Sequence, residues 1–555
     1  MSQWWKDKII YQIWPKSFND SNGDGIGDIQ GIVERLDYLK ELGVDIIWLS
    51  PVYASPFVDQ GYDISDYQSI HPAFGTIQDM DYLLREMEKR NMYLIMDLVV
   101  NHCSDEHIWF KKACRDPLSI YGKYFYIVPK KDGIPSNVRG YFGGSVWDEL
   151  PGNPDYLYYH SFHKRQPDLN WENPFLRKEV YYMIDWWLKR GVAGFRIDAI
   201  MNIKKDLPFH NYEADREDGM ASIVNVVQAS EGIGDFLAEM KRETFEKYDA
   251  FTVGEVFHEK ESELGDFVGT DGYFSTMFDF GPELIGKADV CYEYAEVTPK
   301  DYKETIFASQ KRMESIGLLA NIIENHDEMR GVSRYIPEGD LCDASKKALA
   351  AVYFFLKGIP VIYQGQEIGM ENCPFQDLSE IEDVSTINDY KVALEAGLSE
   401  EEAFRCAARY SRDNARTPMQ WSDDINAGFT NGSPWFGINP DYKRINAREQ
   451  LADEHSVLQF YQKMIWLRKD PDYEDIFVEG KFEPLYEDVD NVIAYYRIGE
   501  GRRALLLSNY QRQERELVLP VKPESILLNN MDHITLDGNR IRLEGYQTVI
   551  LLETN

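Results

Sequence analysis

The sequence is poor in cysteine and in positive charge. Its six cysteines are scattered over 555 residues without a CxxC pair, which argues against a disulfide framework or a zinc site and predicts reduced thiols. Lys and Arg number 59 against 94 Asp and Glu, a net charge of -35 that repels nucleic acid and anionic membranes. The composition therefore favours a small neutral solute as the partner.

Long apolar runs are missing as well. No stretch reaches about 18 apolar residues, and the opening MSQWWKDKIIYQIW lacks the basic segment and apolar core of a secretory signal. We therefore expect a cytoplasmic protein without a membrane partner, either a monomer or a weak homo-oligomer. Hydrophobic content of 44% and aromatic content of 14% indicate a folded globular enzyme, and the length allows two or three domains.

Short apolar runs alternate with amphipathic segments, as in repeated β-α units around a parallel sheet. Residues 30–43 predict a helix that ends at Gly43, and Asp79 is a candidate cap for a helix carrying Leu83, Leu84 and Met87. Eight apolar runs are candidate strands, which is the number in a (β/α)8 TIM barrel. They lie at 8–14, 44–52, 92–102, 192–200, 250–256, 276–280, 317–327 and 359–368.

The alternation breaks in two places. Residues 103–172 are rich in Tyr, Gly, Pro and Asn, which predicts a loop-rich subdomain inserted after the third strand. After about residue 480 the apolar residues alternate with period two, which predicts a C-terminal antiparallel β-sandwich. We therefore assign 1–102 and 173–479 to a catalytic barrel, 103–172 to the insertion and 480–555 to the sandwich.

Polar side chains gather where the predicted barrel strands end, which is where the catalytic groups of such barrels lie. Unpaired acids at one barrel mouth are costly unless they have a function. The residues concerned are Asp97, Asn101 and His102 after strand three, Arg196 and Asp198 after strand four, Glu255 after strand five, and His326 and Asp327 after strand seven.

Two of these carboxylates suit the chemistry of glycoside hydrolysis. Arg196 and Asp198 are two apart on a strand and share a face, so the guanidinium favours an ionised, nucleophilic Asp198. Glu255 follows the apolar run 251–254, where partial burial and a neighbouring carboxylate would raise its pKa and make it a proton donor. Retention of configuration needs carboxyl groups roughly 5 to 5.5 Å apart, which adjacent barrel strands can supply.

Four segments then identify a family. DLVVNH (97–102), GFRIDA (194–199), GEVF (254–257) and ENHDEMR (324–330) resemble, in order and spacing, the four conserved blocks of the α-amylase superfamily, glycoside hydrolase family 13. QPDLN (166–170) resembles the fifth block of its oligo-1,6-glucosidase and α-glucosidase branch. The resemblance implies an exo-acting retaining α-glucosidase that removes terminal non-reducing glucosyl residues from short gluco-oligosaccharides, through α-1,4 and/or α-1,6 links.

The resemblance also implies roles for individual residues. Asp198 matches the nucleophile, Glu255 the general acid/base, and Asp327 the third carboxylate, which binds sugar hydroxyls. Further residues match those that surround the terminal glucose and close the pocket behind it, and two aromatic rings match its apolar walls. These are His102, Gln166, Arg196 and His326 around the glucose, Asp59, Tyr62 and Arg412 at the closed end, and Phe142 and Phe162 in the walls.

The segment DSNGDGIGD predicts a calcium loop. Hard oxygen donors alternate along it, and Gly25 permits a sharp turn. It is not a full EF-hand, because Gly31 stands where the bidentate Glu would be. The expected ligands are the side chains of Asp20, Asn22, Asp24 and Asp28 and the carbonyl oxygen of Ile26. We expect a structural Ca²⁺ and no organic cofactor.

Three departures from the family pattern leave the substrate open. Ala199 stands where members that prefer α-1,6 links usually carry Val, Ser385 where the family often has Glu, and ENHDEMR replaces the commoner NNHDQPR. The small Ala199 is more typical of α-1,4 activity. A sucrose isomerase or transglucosidase would use the same glucosyl intermediate. A trehalose-6-phosphate hydrolase needs a cationic phosphate site, for which no distinctive cluster is seen, and a non-catalytic homologue would be expected to lack parts of the triad.

Overall fold

The computed structural model describes residues 3–288 and 290–554. Eight parallel strands form a closed barrel in which each strand lies beside its sequence neighbours, and the eighth pairs with the first through Val361 opposite Ile10. Each predicted apolar run contains one of these strands, so the (β/α)8 prediction is confirmed. The strands are Ile10–Ile13, Ile46–Leu49, Tyr93–Val99, Gly194–Asp198, Phe251–Gly254, Thr276–Phe278, Leu319–Asn321 and Ile359–Tyr363.

The chain divides into two compact units, and the barrel strands are shared between them. The first unit comprises 48–89 and 93–277, and the second comprises 3–47, 90–92, 278–288 and 290–554. The helices of the first unit are Ile77–Lys89, Ile108–Arg115, Pro174–Arg190, Val224–Ala229, Ile233–Glu243 and Leu264–Val268. Those of the second are Ile29–Glu34, Leu36–Leu42, Gly281–Leu284, Pro299–Met313, Gly331–Tyr335, Asp343–Phe354, Val384–Glu395, Glu400–Tyr410, Asp413–Arg416, Ala447–Ala452, Val457–Lys469 and Glu474–Phe477.

The helix ends agree with the local sequence signals, except that one predicted cap is wrong. The helix predicted at 30–43 is two shorter helices, and the second ends at Gly43, whose φ of 103° is the left-handed conformation that favours glycine. Asp79 is not the cap of its helix. Thr76 caps it, because the Asp79 N–H donates to Thr76 Oγ1 while Thr76 N–H donates back to Asp79 Oδ2 at 2.7 Å. Among the helices of the described residues, none has both the length and the apolar character needed to cross a membrane.

The insertion after the third strand shares its core with a second excursion, at residues 205–229. Ile127–Pro129, Tyr156–Tyr159 and Trp147–Glu149 form an antiparallel sheet, and Val138–Arg139 pairs with Ala221–Ser222. Buried Trp147 and Tyr159 pack in one apolar cluster with Ile223 and Val226. The Phe209 ring also stacks on Tyr159 at 5.1 Å. The 205–229 excursion was not recognised in the sequence. A short hairpin of Tyr53–Ala54 and Asp66–Ile70 completes the strands of this unit.

The C-terminal region consists of two antiparallel sheets, as the alternating pattern predicted. One face of each contributes to a common apolar core, in which Leu505 and Leu551 of the larger sheet meet Ile541 and Leu543 of the smaller. The larger sheet contains Lys481–Leu485, Val492–Ile498, Arg502–Asn509, Thr548–Thr554 and Ser525–Asn529 in that spatial order. The smaller contains Arg515–Val518, Arg540–Leu543 and Thr535–Asp537.

A buried acid, Glu367, makes the stability of the second unit depend on pH. Its Oε1 accepts hydrogen bonds from the hydroxyls of Tyr11 at 2.9 Å and Tyr38 at 2.8 Å, and the side chain is fully buried. Burial raises the pKa of Glu367 from 4.5 to about 7, although the two hydroxyls oppose the rise. Because the folded-state pKa is the higher one, stability present below about pH 4.5 is lost as the pH rises to 7, by about 3 kcal/mol.

We therefore expect Glu367→Gln to raise the melting temperature by several degrees at pH 8 and much less at pH 5. The amide keeps an oxygen for the two tyrosines and cannot ionise. Calorimetric melting of both proteins at the two pH values measures the effect. Glu304→Gln, which changes an exposed acid of the same unit, is the control and should shift neither curve. An equal gain at both pH values would show that ionisation of Glu367 is not the cause.

Candidate active site

In the first unit, one guanidinium gathers three carboxylates. Arg196 Nη1 donates to Asp198 Oδ1 at 2.6 Å and to Asp97 Oδ1 at 2.7 Å, and Nη2 donates to Glu255 Oε1 at 2.6 Å. The Arg196 side chain is only 2% exposed, whereas those of Asp198 and Glu255 keep 10% and 13% exposure. The three negative charges outweigh burial and raise the pKa of Arg196, so the guanidinium stays charged. Two of the predicted catalytic carboxylates are therefore held together on one cation.

Strand register explains how these residues meet. The fourth barrel strand lies between the third and the fifth, with Arg196 opposite Asp97 on one side and Val253 on the other. Asp198 ends the fourth strand, and Glu255 follows the last residue of the fifth. Parallel strands bring their carboxyl ends to one edge, so neighbours in the barrel present these side chains side by side. Asp97 is further held by the Trp48 indole N–H and the Tyr62 hydroxyl, each at 3.1 Å.

The loop between strand two and the following helix carries Asp59 and Tyr62, two of the residues predicted to close the pocket. Gln166 Nε2 donates to Asp59 Oδ2 at 2.9 Å and lies 3.1 Å from His102 Nε2. His102 Nε2 also lies 3.1 Å from the carbonyl oxygen of Tyr62, and burial lowers the pKa of this imidazole. A neutral His102 suits a site for an uncharged sugar. Asp59, Tyr62, His102 and Gln166 are therefore brought together.

The predicted apolar wall is a cluster of rings. Phe162 packs against His102 at 5.1 Å and edge-on against Phe142 at 5.8 Å between ring centroids. Tyr141, which was not predicted, stacks on Phe162 at 4.8 Å and donates its hydroxyl to Asn202 Oδ1 at 3.1 Å. Flat ring faces of this kind pack well against the C–H faces of a sugar.

Ala199 matters for its backbone conformation as well as for the small size of its side chain. Its φ of 44° and ψ of 35° lie in the left-handed region, and its N–H donates to Glu255 Oε2 at 2.6 Å. This bond and the one from Arg196 engage both oxygens of the proposed acid/base. A β-branched residue is strained in the left-handed region, so Ala suits this turn on backbone grounds.

The first unit also contains a buried ion pair, between Lys205 and Asp168, that was not predicted from the sequence. Lys205 Nζ is 2.6 Å from Asp168 Oδ2 and 3.1 Å from Asn101 Oδ1, and the two charged side chains are 2% and 0% exposed. Asp168 also accepts from the Ser161 N–H at 2.8 Å. Burial lowers the pKa of Lys205, although Asp168 opposes the change. The pair ties the end of strand three to the 161–168 segment that carries Phe162 and Gln166. In the sequence the acid of QPDLN was visible, but its burial, and therefore its need for a matching cation, was not.

The second unit holds the remaining predicted residues around Asp327. Its Oδ1 accepts from Arg412 Nη1 at 2.9 Å and Arg416 Nη2 at 3.0 Å, and its Oδ2 lies 3.0 Å from His326 Nε2. These three groups outweigh the effect of burial and hold the pKa of Asp327 well below its usual range. The Asp327 side chain remains 35% exposed, so an ionised carboxylate is open to a ligand.

Arg412 connects Asp327 to a second acid that was not predicted. Its Nη2 donates to Asp383 Oδ1 at 2.6 Å, and Arg416 Nη1 lies 4.0 Å from the same oxygen. Burial would raise the pKa of Asp383, but the two guanidiniums lower it below its usual range. Asp383 also caps the helix Val384–Glu395 by accepting from the Ser385 and Thr386 N–H groups, which places Ser385 in the first turn of that helix.

The predicted calcium loop, also in the second unit, is a compact turn. Asp20 accepts from three backbone N–H groups of the loop and from the Thr430 hydroxyl, and these bonds lower its pKa against the effect of burial. Asn22 Nδ2 lies 3.3 Å from Asp28 Oδ2, while exposed Asp24 accepts the Ile26 N–H at 2.9 Å. Gly25 has a φ of +92°, and a Cβ there would lie 1.8 Å from the Ser433 carbonyl oxygen.

These oxygen atoms match Ca²⁺ in type, but Asn22 faces Asp28 with its amide nitrogen, and its Oδ1 accepts the Asp24 N–H at 2.9 Å. In 3–288 and 290–554, however, no three His, Cys, Asp or Glu side chains are grouped as a metal site requires. The Asp24 carboxylate would have to turn from the Ile26 N–H to join Asp20 and Asp28 on an ion.

Comparison with known proteins places these sites in context. A family model described as "Alpha amylase, catalytic domain" matches residues 12–480. The chain is 42% identical over 538 residues to probable oligo-1,6-glucosidase 3 of Bacillus subtilis (strain 168), with 95% of each chain covered. The structure superposes on trehalose-6-phosphate hydrolase from Bacillus licheniformis with a TM-score of 0.91, 38% identity and full coverage of both chains. For isomaltulose synthase from Klebsiella sp. LX3 the TM-score is 0.93, with 35% identity and 99% coverage of both.

Proposed function

The chain belongs to the α-amylase family of glycoside hydrolases, and from this premise we propose that it is an exo-acting, retaining α-glucosidase. The proposed substrates are short gluco-oligosaccharides, from which it removes the terminal non-reducing glucosyl residue at α-1,4 and/or α-1,6 links. The observation that carries the proposal is the gathering of Asp198 and Glu255 on Arg196, each at 2.6 Å. Such closeness suits the separation of roughly 5 to 5.5 Å that retaining enzymes need.

The proposed reaction has two steps. Asp198 attacks the anomeric carbon from the side opposite the leaving sugar, while Glu255 gives its proton to the glycosidic oxygen as that bond breaks. The product is a covalent glucosyl ester of Asp198 and a free leaving sugar. Glu255, now a carboxylate, then takes a proton from water, whose oxygen displaces Asp198 and restores the α configuration. Arg196 keeps Asp198 ionised and must release its hold on Glu255 enough for that residue to carry a proton.

The remaining residues have proposed roles in binding. Asp327, kept ionised by His326, Arg412 and Arg416, accepts hydrogen bonds from sugar hydroxyls as the ring flattens toward the transition state. His102 and Gln166 bind the terminal glucose, and Asp59 with Tyr62 closes the pocket behind it. Phe142 and Phe162 line its walls. The neutral state favoured for His102 by burial supports an uncharged ligand.

Turnover of a substrate panel tests the function and the linkage. We expect glucose release from maltose or isomaltose with initial retention of the α-anomer, observed by proton NMR. The names of the relatives favour isomaltose, whereas Ala199 favours maltose, and the ratio of kcat/KM for the two disaccharides decides between them. The variant to compare with the unaltered protein is Ala199→Val, which carries the residue usual in members that prefer α-1,6 links. A large preference of the unaltered protein for isomaltose would overturn the Ala199 argument, and β-glucose as first product would overturn retention.

A second candidate is supported by the likeness to isomaltulose synthase. An enzyme of that type would transfer the glucosyl group from sucrose back to the released fructose. Product analysis on sucrose separates the two: glucose and fructose in equal amounts support the hydrolase, and a rearranged disaccharide supports the isomerase.

We also infer that residues 20–28 bind one structural Ca²⁺ through Asp20, Asn22, Asp24, Asp28 and the Ile26 carbonyl. The run of hard oxygen donors and the sharp turn at Gly25 support this. Chelation with EDTA should lower the melting temperature by several degrees and leave the activity at 25 °C, measured before melting begins, nearly intact. Asp24→Asn, which removes one exposed ligand, should reduce that shift. An unchanged melting curve together with no metal by elemental analysis would contradict the site.

A further inference from the structure

The turn that follows the fourth barrel strand holds Ala199 in a strained conformation. Ala199 has a φ of 44° and a ψ of 35°, in the left-handed region, and precedes a single 3₁₀ turn at Ile200–Ile203. A residue with a Cβ takes this conformation at a cost in free energy, so it persists only where neighbouring groups hold it. The Ala199 N–H donates to Glu255 Oε2 at 2.6 Å. The orientation of this peptide therefore determines one hydrogen bond of the proposed acid/base.

The carbonyl end of Ala199 is held by Asn202. The Ala199 carbonyl oxygen accepts from the Asn202 backbone N–H at 3.0 Å and from the side-chain Nδ2 at 3.4 Å. Asn202 is buried, and its own carbonyl oxygen accepts from Lys205 Nζ. That ammonium is the cation of the buried ion pair with Asp168. Asn202 therefore anchors the strained turn to a group that is fixed in the interior.

Tyr141 fixes the orientation of the Asn202 amide. Its hydroxyl donates to Asn202 Oδ1 at 3.1 Å, which leaves Nδ2 to face the Ala199 carbonyl oxygen. The reverse orientation of the amide would bring two oxygen acceptors face to face. Burial, with a contribution from the charge of Glu255, raises the pKa of Tyr141 to about 12, although the bond to Asn202 opposes the rise. The hydroxyl therefore remains a donor at neutral pH.

The same tyrosine belongs to the aromatic wall of the proposed glucose pocket. Its ring stacks on Phe162 at 4.8 Å between ring centroids. The ring of Tyr141 is thus part of the wall, while its hydroxyl begins a series of hydrogen bonds that runs through Asn202 and Ala199. The series ends at Glu255, and all of its members lie in the first unit.

We propose that Asn202 and Tyr141 are positioning residues for the general acid/base Glu255. Together they hold the peptide of Ala199, whose N–H fixes one oxygen of that carboxylate. The inference rests on the proposed α-glucosidase function and adds two residues to its machinery. Both lie outside the segments that carry the family resemblance. Loss of either loosens the Ala199 turn, and Glu255 is then displaced from the position in which it protonates the glycosidic oxygen.

The leaving group of the substrate separates this role from general damage to the site. A sugar leaves a disaccharide with a proton from Glu255, whereas fluoride leaves α-glucosyl fluoride without one. Asn202→Ala should lower kcat/KM by about 10- to 100-fold for the better of maltose and isomaltose, and by less than about threefold for α-glucosyl fluoride. Steady-state kinetics with the two substrates measure both losses. Equal losses on both would overturn the inference, because a merely structural role does not depend on the leaving group.

Tyr141→Phe is the milder variant and decides the question if Asn202→Ala folds poorly. It keeps the ring that stacks on Phe162 and removes only the hydroxyl. For the disaccharide, KM should stay within about twofold while kcat falls by about 3- to 10-fold. A raised KM with unchanged kcat would place Tyr141 in the wall alone and contradict its positioning role. Asn153→Ala is the matched control, since Asn153 Nδ2 donates to the Cys114 carbonyl oxygen at 3.1 Å elsewhere in the insertion, and it should change none of these constants.

A crystal structure of Asn202→Ala tests the geometry independently of activity. We expect Ala199 to leave the left-handed region and its nitrogen to lie beyond about 3.5 Å from Glu255 Oε2, outside hydrogen-bond distance. Retention of the 2.6 Å bond would overturn the inference whatever the kinetics show. Failure of the proposed function is a separate result. If the unaltered protein hydrolyses no α-glucoside, the enzymatic proposal falls, while this distance still decides whether Asn202 positions Glu255.

Discussion

Asp198→Asn is expected to reduce kcat on an α-glucoside by about 10⁴-fold or more without unfolding the barrel. The amide has the same shape as the carboxylate and keeps an oxygen for the 2.6 Å bond from Arg196 Nη1. It is not a nucleophile at the anomeric carbon, so the covalent intermediate cannot form. Initial rates with 4-nitrophenyl α-glucoside, beside melting curves of both proteins, measure the two parts of the expectation.

A matched control separates loss of the nucleophile from disturbance of Arg196. Asp97→Asn makes the same chemical change at another carboxylate on the same guanidinium, 2.7 Å from Nη1. We expect it to lower kcat by much less, roughly 10- to 100-fold, because only positioning is weakened. Azide provides a second test: in Asp198→Gly it should occupy the vacated side and restore turnover with β-glucosyl azide as the product. Near-normal activity of Asp198→Asn would refute the assignment of the nucleophile.

Lys205→Met is expected to destabilise the protein by about 3 to 5 kcal/mol, the range for removing one partner of a buried pair. Asp168 has 0% side-chain exposure and would remain in the interior without its counter-ion. The 161–168 segment would lose its tie to Asn101, so binding of the terminal glucose through Gln166 should weaken as well. The melting temperature and KM for the best disaccharide measure the two effects.

The neighbouring lysine is the control for this prediction. Lys204 pairs with Glu172 nearer the surface, at 19% and 39% exposure, so Lys204→Met should cost no more than about 1 kcal/mol. Adding Asp168→Asn to Lys205→Met removes the uncompensated charge and should recover part of the loss. Equal melting temperatures for Lys204→Met and Lys205→Met would show that the buried pair contributes little.

Local sequence patterns predicted the parts of this protein that depend on near neighbours. Each barrel strand lies within an apolar run of the sequence, because a strand buried on both faces must be apolar throughout its length. Gly43 marked a helix end because only glycine takes its left-handed conformation without strain. The cap at Thr76 was misassigned to Asp79, since both residues of a capping box carry oxygen acceptors and the pattern alone does not order them.

Long-range partners could not be predicted in this way. Arg416 contacts Asp327, and Asp383 contacts the Arg412 guanidinium that also binds Asp327. Both residues lie far along the chain from Asp327, and no spacing rule in the sequence connects them. For the same reason, the sequence could not predict the pairing of Lys205 with Asp168 or the packing of residues 205–229 into the core of the insertion. The charges of Lys287 and Glu328 are visible in the sequence, but their pairing depends on contact between two separate loops.

The sequence by itself determined the family, the eight-stranded barrel and the identity of the candidate carboxylates, because strand burial and motif chemistry are written in short contiguous segments. Only the tertiary structure decided which charges pair with which: that Arg196 holds Asp198 and Glu255 together, that Lys205 compensates Asp168, and that Glu328 pairs with Lys287. Ion pairs act over a few ångströms of space whatever their separation along the chain, so they exist only once the chain has folded.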